Sequence, residues 1–260
     1  MEILHFLTHP SIVTDRVKQF QLRANFRGIY RRYRDRTIVH EAKYVRNLEL
    51  VHEFRNVRGC VVECGVWRAG MTAGIADVLG DDRDYFLFDS FEGLPPAREI
   101  DGALALAWQS NPNSQSYHNN NTASEQEASD TMKRSRAKSV TLVKGWFKDT
   151  VPGFKPPRDI AVLRLDGDWY DSTRVCLEHL VPFVADHGVV IIDDYYAFDG
   201  CTRAVNEFLS RAGSPSEVMR FRQFRDQVAY FIKGDVRIPP QAKNGASELD
   251  GDRQRGGAQR

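Results

Sequence analysis

Short apolar segments alternate with amphipathic segments through most of the chain. Short, mostly apolar runs predict buried strands at 60–64, 85–88, 140–143, 160–165 and 188–192. Helical periodicity fills the intervals between them, as at 71–79, 177–184 and 201–211. Residues 218–221 and 228–233 are expected to form a closing antiparallel pair. Because strands that alternate with helices form right-handed βαβ units, the pattern predicts an α/β fold with a doubly wound, mostly parallel sheet.

Three other regions flank or interrupt this pattern. Residues 1–58 are expected to form a basic, helical N-terminal extension to a sheet domain at 59–238, and the polar tail at 239–260 is expected to be disordered. Residues 101–123 are polar and without periodicity, which predicts an insert without regular structure that acts as a lid. Ser124 and Glu127 form a candidate capping box that begins the next helix.

Composition and charge narrow the function classes. The 260 residues carry 36 Lys and Arg against 35 Asp and Glu, a net charge of +1 that argues against a protein dedicated to nucleic acid. No apolar run approaches the ~20 residues of a membrane-spanning helix. The first residues do not resemble a secretory signal, so a cytoplasmic location is expected. The four cysteines are too few for a disulfide framework and are expected to be buried thiols.

A glycine-bearing turn follows the first predicted strand. Gly65 and Gly70 have the spacing of a P-loop, but Met71 stands where that motif needs lysine, and Trp67 stands at the second glycine of a dinucleotide fingerprint. The turn therefore suits a nucleoside without phosphates, such as S-adenosylmethionine, or else the glycines serve only a tight turn. Asp89 ends the next strand, where an acid would accept hydrogen bonds from ribose hydroxyls.

Carboxylates follow two later strands of the pattern. Asp166 ends one strand, and Asp193 and Asp194 end the next. If these strands are neighbours, three negative charges meet, and a hard divalent cation such as Mg²⁺ or Ca²⁺ would offset their repulsion. Asp168 lies beyond its strand end and could act as a general base. Helix caps and turn acids are the structural alternative for these residues.

Five stretches of the sequence, taken in order, resemble the macrocin O-methyltransferase (TylF-like) family over about residues 40–232. They are 62–70 (VECGVWRAG), 87–95 (LFDSFEGLP), 143–150 (VKGWFKDT), 165–173 (LDGDWYDST) and 191–195 (IIDDY). The family usually has a second glycine where Ala69 stands. The resemblance implies a Rossmann-like class I methyltransferase fold and Mg²⁺-dependent transfer of a methyl group from S-adenosylmethionine to a sugar hydroxyl in antibiotic biosynthesis.

The resemblance also implies roles for individual residues. Asp166, Asp193 and Asp194 would bind Mg²⁺, Asp168 would be the base, and Asp89 would bind the ribose. The expected cofactor site comprises Glu63, Gly65, Val66, Trp67, Arg68, Gly70, Met71, Thr72, Asp89, Ser90, Phe91, Gly145, Trp146, Phe147 and Asp166. The expected partner is a small glycosylated acceptor, with no nucleic acid or membrane, and a homodimer or higher homo-oligomer is expected.

Three other functions are weighed against this one. A catechol-type O-methyltransferase would use the same metal chemistry. A metal-dependent glycosyltransferase would explain Asp166 and Asp168 as an Asp-x-Asp site, but it leaves the turn at Gly65 and the position of Asp89 unexplained. A binding module without turnover would not need the full set of acids.

Overall fold

Seven strands form one sheet in the computed structural model, which describes residues 10–211, 220–225 and 228–234. The strand order is β3-β2-β1-β4-β5-β7-β6. Strands β1 to β5 are parallel, whereas β7 pairs antiparallel with β5 and with β6. The strands are β1 Cys60–Cys64, β2 Asp84–Asp89, β3 Ser139–Lys144, β4 Ile160–Leu165, β5 Val184–Ile192, β6 Arg222–Phe224 and β7 Val228–Ile232. The predicted doubly wound sheet with a closing antiparallel pair is confirmed.

Two strands begin more than one residue away from their predicted starts, which were residues 188 and 218. Strand β6 begins at Arg222, so residues 220 and 221 precede it, and residues 218 and 219 lie outside the described residues. Strand β5 begins at Val184 and not at residue 188. The predicted helix at 177–184 included Val184, but the helix before β5 ends at Leu180. The tail at 239–260 also lies outside the described residues.

Helices cover both faces of the sheet. They are α1 Pro10–Tyr33, α2 Glu41–Glu53, α3 Gly70–Leu79, α4 Ala103–Gln109, α5 Glu125–Lys133, α6 Phe147–Thr150, α7 Tyr170–Leu180 and α8 Asp199–Arg211. Successive strand residues point to opposite faces, so Val61 packs with α2 and α3 whereas Val62 packs with α7 and α8. Within the described residues, none of the helices has both the length and the apolar character needed to cross a bilayer.

The N-terminal helices are built into this core. Tyr44 and Leu48 of α2 are fully buried, and the Tyr44 hydroxyl donates a 2.8 Å hydrogen bond to the carbonyl oxygen of Gly70. Tyr33 of α1 is also fully buried, and its hydroxyl lies 3.1 Å from a carboxylate oxygen of Asp77 in α3. Both helices of the extension therefore fix the position of α3, the helix that follows the glycine-bearing turn.

The insert at 101–123 has more regular structure than expected. Residues 103–109 (ALALAWQ) form helix α4, because alanine and leucine are strong helix formers. The polar residues on both sides made the whole segment look irregular. Residues 118–121 form a left-handed turn with φ between 43° and 56°, a conformation that asparagine tolerates better than most residues. The expectation of an insert without regular structure is wrong for α4, and its movement as a lid stays a prediction.

Hydrogen bonds attach the insert to the rest of the domain. The Gln109 side chain donates to the carbonyl oxygen of Pro95 at 3.0 Å, and the Trp67 indole donates to the carbonyl oxygen of Thr122 at 3.2 Å. The predicted capping box of Ser124 and Glu127 begins α5, with both reciprocal hydrogen bonds present. All four cysteines are free and buried, as expected.

Candidate active site

A cavity of about 450 Å³ lies at the carboxyl ends of the parallel strands. This is the edge where ligands bind in open α/β sheets. The predicted site residues that line it are Glu63, Gly65, Val66, Trp67, Met71, Asp89, Ser90, Trp146, Phe147, Asp166 and Asp168. The cavity is not lined by the other predicted residues, which are the cofactor residues Arg68, Gly70, Thr72, Phe91 and Gly145 and the metal ligands Asp193 and Asp194. The structure therefore joins the glycine-bearing turn and two of the predicted acids in one cavity.

Segments to which the sequence assigned no site role complete the wall. Residues 37–39 enter from the N-terminal extension, residues 94–96 enter from the segment after β2, and Asn121 enters from the left-handed turn of the insert. The Trp169 indole donates a 2.9 Å hydrogen bond to the carbonyl oxygen of Pro95, which ties this wall to the start of α7. Trp169 is nearly fully buried, so its role here is to pack the wall.

The turn between β1 and α3 has a conformation that requires glycine at its start. Gly65 has φ +87°, and a Cβ atom there would lie 1.8 Å from the carbonyl oxygen of Asp166. Glycine thus allows the first turn to pack directly against the end of β4. Trp67 and Ala69 also have positive φ, at 49° and 61°, so the turn places several backbone groups in uncommon conformations.

Asp89 holds this turn from the end of β2. One carboxylate oxygen accepts hydrogen bonds from the backbone N–H groups of Val66 and Trp67 at 2.8 and 2.9 Å, and the other accepts from Phe91 at 2.7 Å. Burial raises the pKa of Asp89, although these three bonds act to lower it. A carboxylate has about four acceptor positions, so one position remains for a ligand in the cavity.

Glu63 makes hydrogen bonds within the protein that the sequence does not indicate. It is buried at the end of β1, where it accepts hydrogen bonds from the Thr72 hydroxyl and from the Arg164 guanidinium. Burial raises the pKa of Glu63 to about 7, against the lowering effect of Arg164. Thr72 and Glu63 therefore link the first helical turn of α3 to the charged centre of the site.

Trp146 and Phe147 supply an aromatic wall after β3. The backbone N–H of Gly145 donates to the carbonyl oxygen of Asp89 at 2.9 Å, which places this segment beside the end of β2. Both rings line the cavity, together with Val175 from α7. A flat, largely apolar slot of this kind can stack a purine ring.

Three carboxylates, those of Asp166, Asp168 and Asp194, form the acidic cluster of the site. Each offers an oxygen within 4.8 Å of the others. Burial raises the pKa of Asp168 and of Asp194 well above the usual range, and the neighbouring carboxylates add to both shifts. Burial and Asp193 likewise raise the pKa of Asp166. Negative charges this close favour proton or cation binding, and carboxylate oxygens are the ligands that Mg²⁺ and Ca²⁺ prefer.

Asp193, which the resemblance assigns to the metal, is placed differently. One of its carboxylate oxygens pairs with Arg164, and the other lies 2.5 Å from the Lys43 ammonium. Although burial opposes the shift, these two cations lower the pKa of Asp193. The structure thus groups Asp168 with Asp166 and Asp194, whereas Asp193 is ion-paired with Arg164 and Lys43.

Arg164 lies at the centre of this charge balance. Its guanidinium is completely buried in β4 and contacts Glu63, Asp166 and Asp193 from three strand ends. An arginine inside the apolar run 160–165 is the sequence signal that could have revealed it. Lys43 gives no such local signal, because it is 150 residues away from Asp193 in the chain.

Comparison with known proteins agrees with this geometry. The family model described as Macrocin-O-methyltransferase (TylF) matches residues 42–228. The chain is 38% identical over 175 residues to the 8-demethyl-8-(2,3-dimethoxy-alpha-L-rhamnosyl)-tetracenomycin-C 4'-O-methyltransferase of Streptomyces olivaceus, covering 60% of each chain. It is 33% identical over 174 residues to the mycinamicin III 3''-O-methyltransferase of Micromonospora griseorubida, covering 63% of this chain and 65% of the relative. The matched region thus spans less than two thirds of these relatives' length.

Solved structures share the fold. The O-methyltransferase NovP superposes with a TM-score of 0.59 at 30% identity, covering 73% of this chain and 80% of that chain. The calicheamicin methyltransferase CalS11 superposes with a TM-score of 0.56 at 21% identity, covering 73% and 78%. The class I methyltransferase fold implied by the resemblance is therefore confirmed. Since the family model covers well over half of the sequence, the chain belongs to the macrocin O-methyltransferase (TylF) family.

Proposed function

We propose that this protein is a Mg²⁺-dependent O-methyltransferase that transfers a methyl group from S-adenosylmethionine to a sugar hydroxyl of a glycosylated natural product. The observation that carries the proposal is one cavity lined both by the glycine-bearing turn, which suits a nucleoside without phosphates, and by Asp166 and Asp168 of the acidic cluster. The relatives' names support the acceptor class, since one names a rhamnosyl-tetracenomycin and another a mycinamicin.

The residues around the turn fit S-adenosylmethionine. Asp89 has one free acceptor position for a ribose hydroxyl, and Trp146 and Phe147 offer a slot for the adenine. Gly65 lines the cavity, so the methionine part could lie against the backbone of the turn. Because Met71 replaces the lysine of a phosphate-binding loop, the turn lacks the ammonium group with which that motif binds nucleotide phosphates.

The acidic cluster fits a divalent cation. We propose that Asp166, Asp193 and Asp194 bind it, because all three follow the ends of β4 and β5 and two of them belong to the cluster. To bind the cation, Asp193 would exchange an ion pair with Arg164 or Lys43 for the metal, as Asp166 would exchange its ion pair with Arg164. When bound, S-adenosylmethionine supplies the activated methyl group, and Mg²⁺ polarises the acceptor hydroxyl and lowers its pKa.

Asp168 is proposed to accept the proton of the acceptor hydroxyl. It follows β4 by three residues and has φ +57°, while its backbone N–H donates a 3.1 Å hydrogen bond to Asp194. This bond fixes the Asp168 backbone beside Asp194, one of the three proposed ligands. A carboxylate with a raised pKa is also a stronger base than an exposed one.

A screen of demethylated glycosides tests the proposal. The protein would be incubated with each glycoside, S-adenosylmethionine and Mg²⁺, and products would be analysed by mass spectrometry. We expect one acceptor to gain one methyl group on a sugar oxygen, with the product lost when EDTA removes the metal. Glycosyl transfer from a nucleotide sugar, methylation of a catechol instead, or methyl transfer unaffected by EDTA would contradict it. The cytoplasmic location and the homo-oligomeric state stay predictions.

A further inference from the structure

The left-handed turn at 118–121 is a strained segment beside the cavity. All four residues have positive φ, between 43° and 56°, although residues other than glycine usually visit this region singly. Such a segment persists only where surrounding contacts hold it. Because the last residue of the turn, Asn121, lines the cavity, the contacts that hold the turn also shape the cavity.

Two segments of the sheet domain hold this turn. The first follows β2, where the Leu94 backbone N–H donates to the Asn120 carbonyl oxygen at 3.1 Å and the Asn120 amide donates back at 2.8 Å. The second is the turn between β1 and α3, where the Trp67 indole donates to the Thr122 carbonyl oxygen at 3.2 Å. The Trp67 and His118 rings also lie 6.3 Å apart, measured between their centres. The left-handed turn therefore bridges the ends of β1 and β2.

Trp67 is itself fixed on the cofactor side of the cavity. Its backbone N–H donates to the Asp89 carboxylate at 2.9 Å. The Arg68 guanidinium carbon lies over the indole, 4.4 Å from the ring centre, and the same guanidinium pairs with Glu127 of α5 at 2.9 Å. One residue thus joins the carboxylate proposed to bind the ribose to the insert, and its neighbour joins the same turn to the helix after the insert.

We infer that Trp67 is a positioning residue, whose indole N–H holds the left-handed turn in the cavity wall and so shapes the side of the cavity that receives the acceptor. The inference rests on the proposed function. The contacts proposed for the cofactor come from the ends of β1, β2 and β3, which leaves the insert side of the cavity to the acceptor. The backbone of Trp67 thus serves the cofactor half, whereas its side chain acts through the insert.

Hydrogen–deuterium exchange and kinetics of Trp67→Phe in the full chain test the inference. The variant keeps an aromatic ring and the backbone N–H to Asp89 but loses the indole donor. Since loss of one hydrogen bond changes an equilibrium constant about threefold to tenfold, backbone amides at 118–123 should exchange faster by this factor. The KM for the glycoside found in the acceptor screen should rise similarly while kcat changes less than about twofold, because the turn affects binding and not the reacting groups. The affinity for S-adenosylhomocysteine should stay within about threefold of wild type.

Trp108→Phe is the matched control. Trp108 lies in the insert itself, is partly buried like Trp67, and its indole donates a hydrogen bond of the same length, 3.2 Å, to the Ser116 hydroxyl. This bond stays within the insert and does not reach the turn between β1 and α3. Trp108→Phe should therefore leave both the exchange at 118–123 and the KM for the acceptor unchanged. Melting temperatures measured on the same samples would show that each variant is folded.

The outcomes distinguish failure of the inference from failure of the proposed function. Unchanged exchange at 118–123 and an unchanged KM in Trp67→Phe, with normal methyl transfer by the wild type, would overturn the inference alone. A large loss of S-adenosylhomocysteine affinity with unchanged exchange would also overturn it, because the Trp67 side chain would then be a cofactor contact. If the wild type neither binds S-adenosylhomocysteine nor transfers a methyl group, the proposed function fails and the inferred role in acceptor binding fails with it.

Discussion

The two halves of the cavity satisfy their buried carboxylates in different ways. In the cofactor half, Asp89 receives three backbone N–H groups from residues 66, 67 and 91, all within two adjoining turns. In the acidic half, the acids of β4 and β5 depend on each other and on two cations, Arg164 and Lys43. The first half is complete by itself, whereas the second contains more negative than positive charge and is completed by a cation.

This difference explains why the halves should respond separately to mutation. Backbone hydrogen bonds position a group without adding charge, so the cofactor half should be insensitive to divalent cations. Clustered carboxylates cost free energy until a cation or proton joins them. Variants in one half should therefore leave binding in the other half intact, and the predictions below test that separation in order of decreasing effect.

The largest effect is expected from a matched pair of consecutive acids. Asp194→Asn should weaken Mn²⁺ binding at least about tenfold and abolish methyl transfer, because it removes a charged ligand from the cluster. Asp193→Asn should also weaken Mn²⁺ binding and methyl transfer, but by less than Asp194→Asn, because its carboxylate is shared with Lys43 and Arg164. Titration of both variants with Mn²⁺ is the measurement. Unchanged Mn²⁺ binding by either variant would remove that acid from the proposed ligand set.

Arg164 should matter most for stability. Arg164→Met leaves three buried or partly buried carboxylates without their shared partner, and removal of one member of a buried ion pair costs about 3–5 kcal/mol. Arg158→Met is the control, because Arg158 makes an exposed ion pair with Asp84, typically worth at most about 1 kcal/mol. Urea unfolding of both variants measures the difference. A similar midpoint for the two would show that Arg164 is not the centre of the charge balance.

In the cofactor half, Asp89→Ala should reduce the affinity for S-adenosylmethionine at least about tenfold, since a hydrogen bond to a charged group is worth about 1.5–3 kcal/mol. The same change also removes the three bonds that hold the turn. Mn²⁺ binding should be unchanged, because Asp89 is not a member of the acidic cluster. Calorimetry with each ligand checks both statements, and a loss of Mn²⁺ binding would mean that the halves are coupled.

The smallest effect concerns pH. Burial raises the pKa of Glu63 from 4.5 to about 7, so the folded protein holds a proton that the unfolded chain releases over this range. In the absence of metal, the contribution of Glu63 to the free energy of unfolding should therefore be largest below pH 4.5. This contribution should be lost as the pH rises through about 7. Glu63→Gln should flatten that decline in a series of urea titrations. An unchanged slope would show that Glu63 stays ionised beside Arg164.

The contrast between local backbone contacts and long-range ion pairs also explains which features could be predicted from the sequence. The number and order of the strands, the turn at Gly65 and the acids after the strand ends follow from local patterns, although β5 and β6 begin elsewhere than predicted. Helix α4 is not apparent from the sequence because its six apolar residues, 103–108, lie between polar segments. The partners of Asp193 were missed because Lys43 is distant in the chain, and ion pairs formed by folding leave no local spacing to detect.

The most direct test of the account is Asp168→Asn, measured on one sample with three assays. The substitution keeps the size of the side chain and removes its capacity to accept a proton. We predict that kcat with a sugar acceptor falls about 10²–10⁴-fold, the usual contribution of a general base, while the affinities for Mn²⁺ and S-adenosylmethionine stay within about threefold of wild type. Loss of Mn²⁺ binding would make Asp168 a ligand instead of the base, and an unchanged kcat would contradict the proposed mechanism.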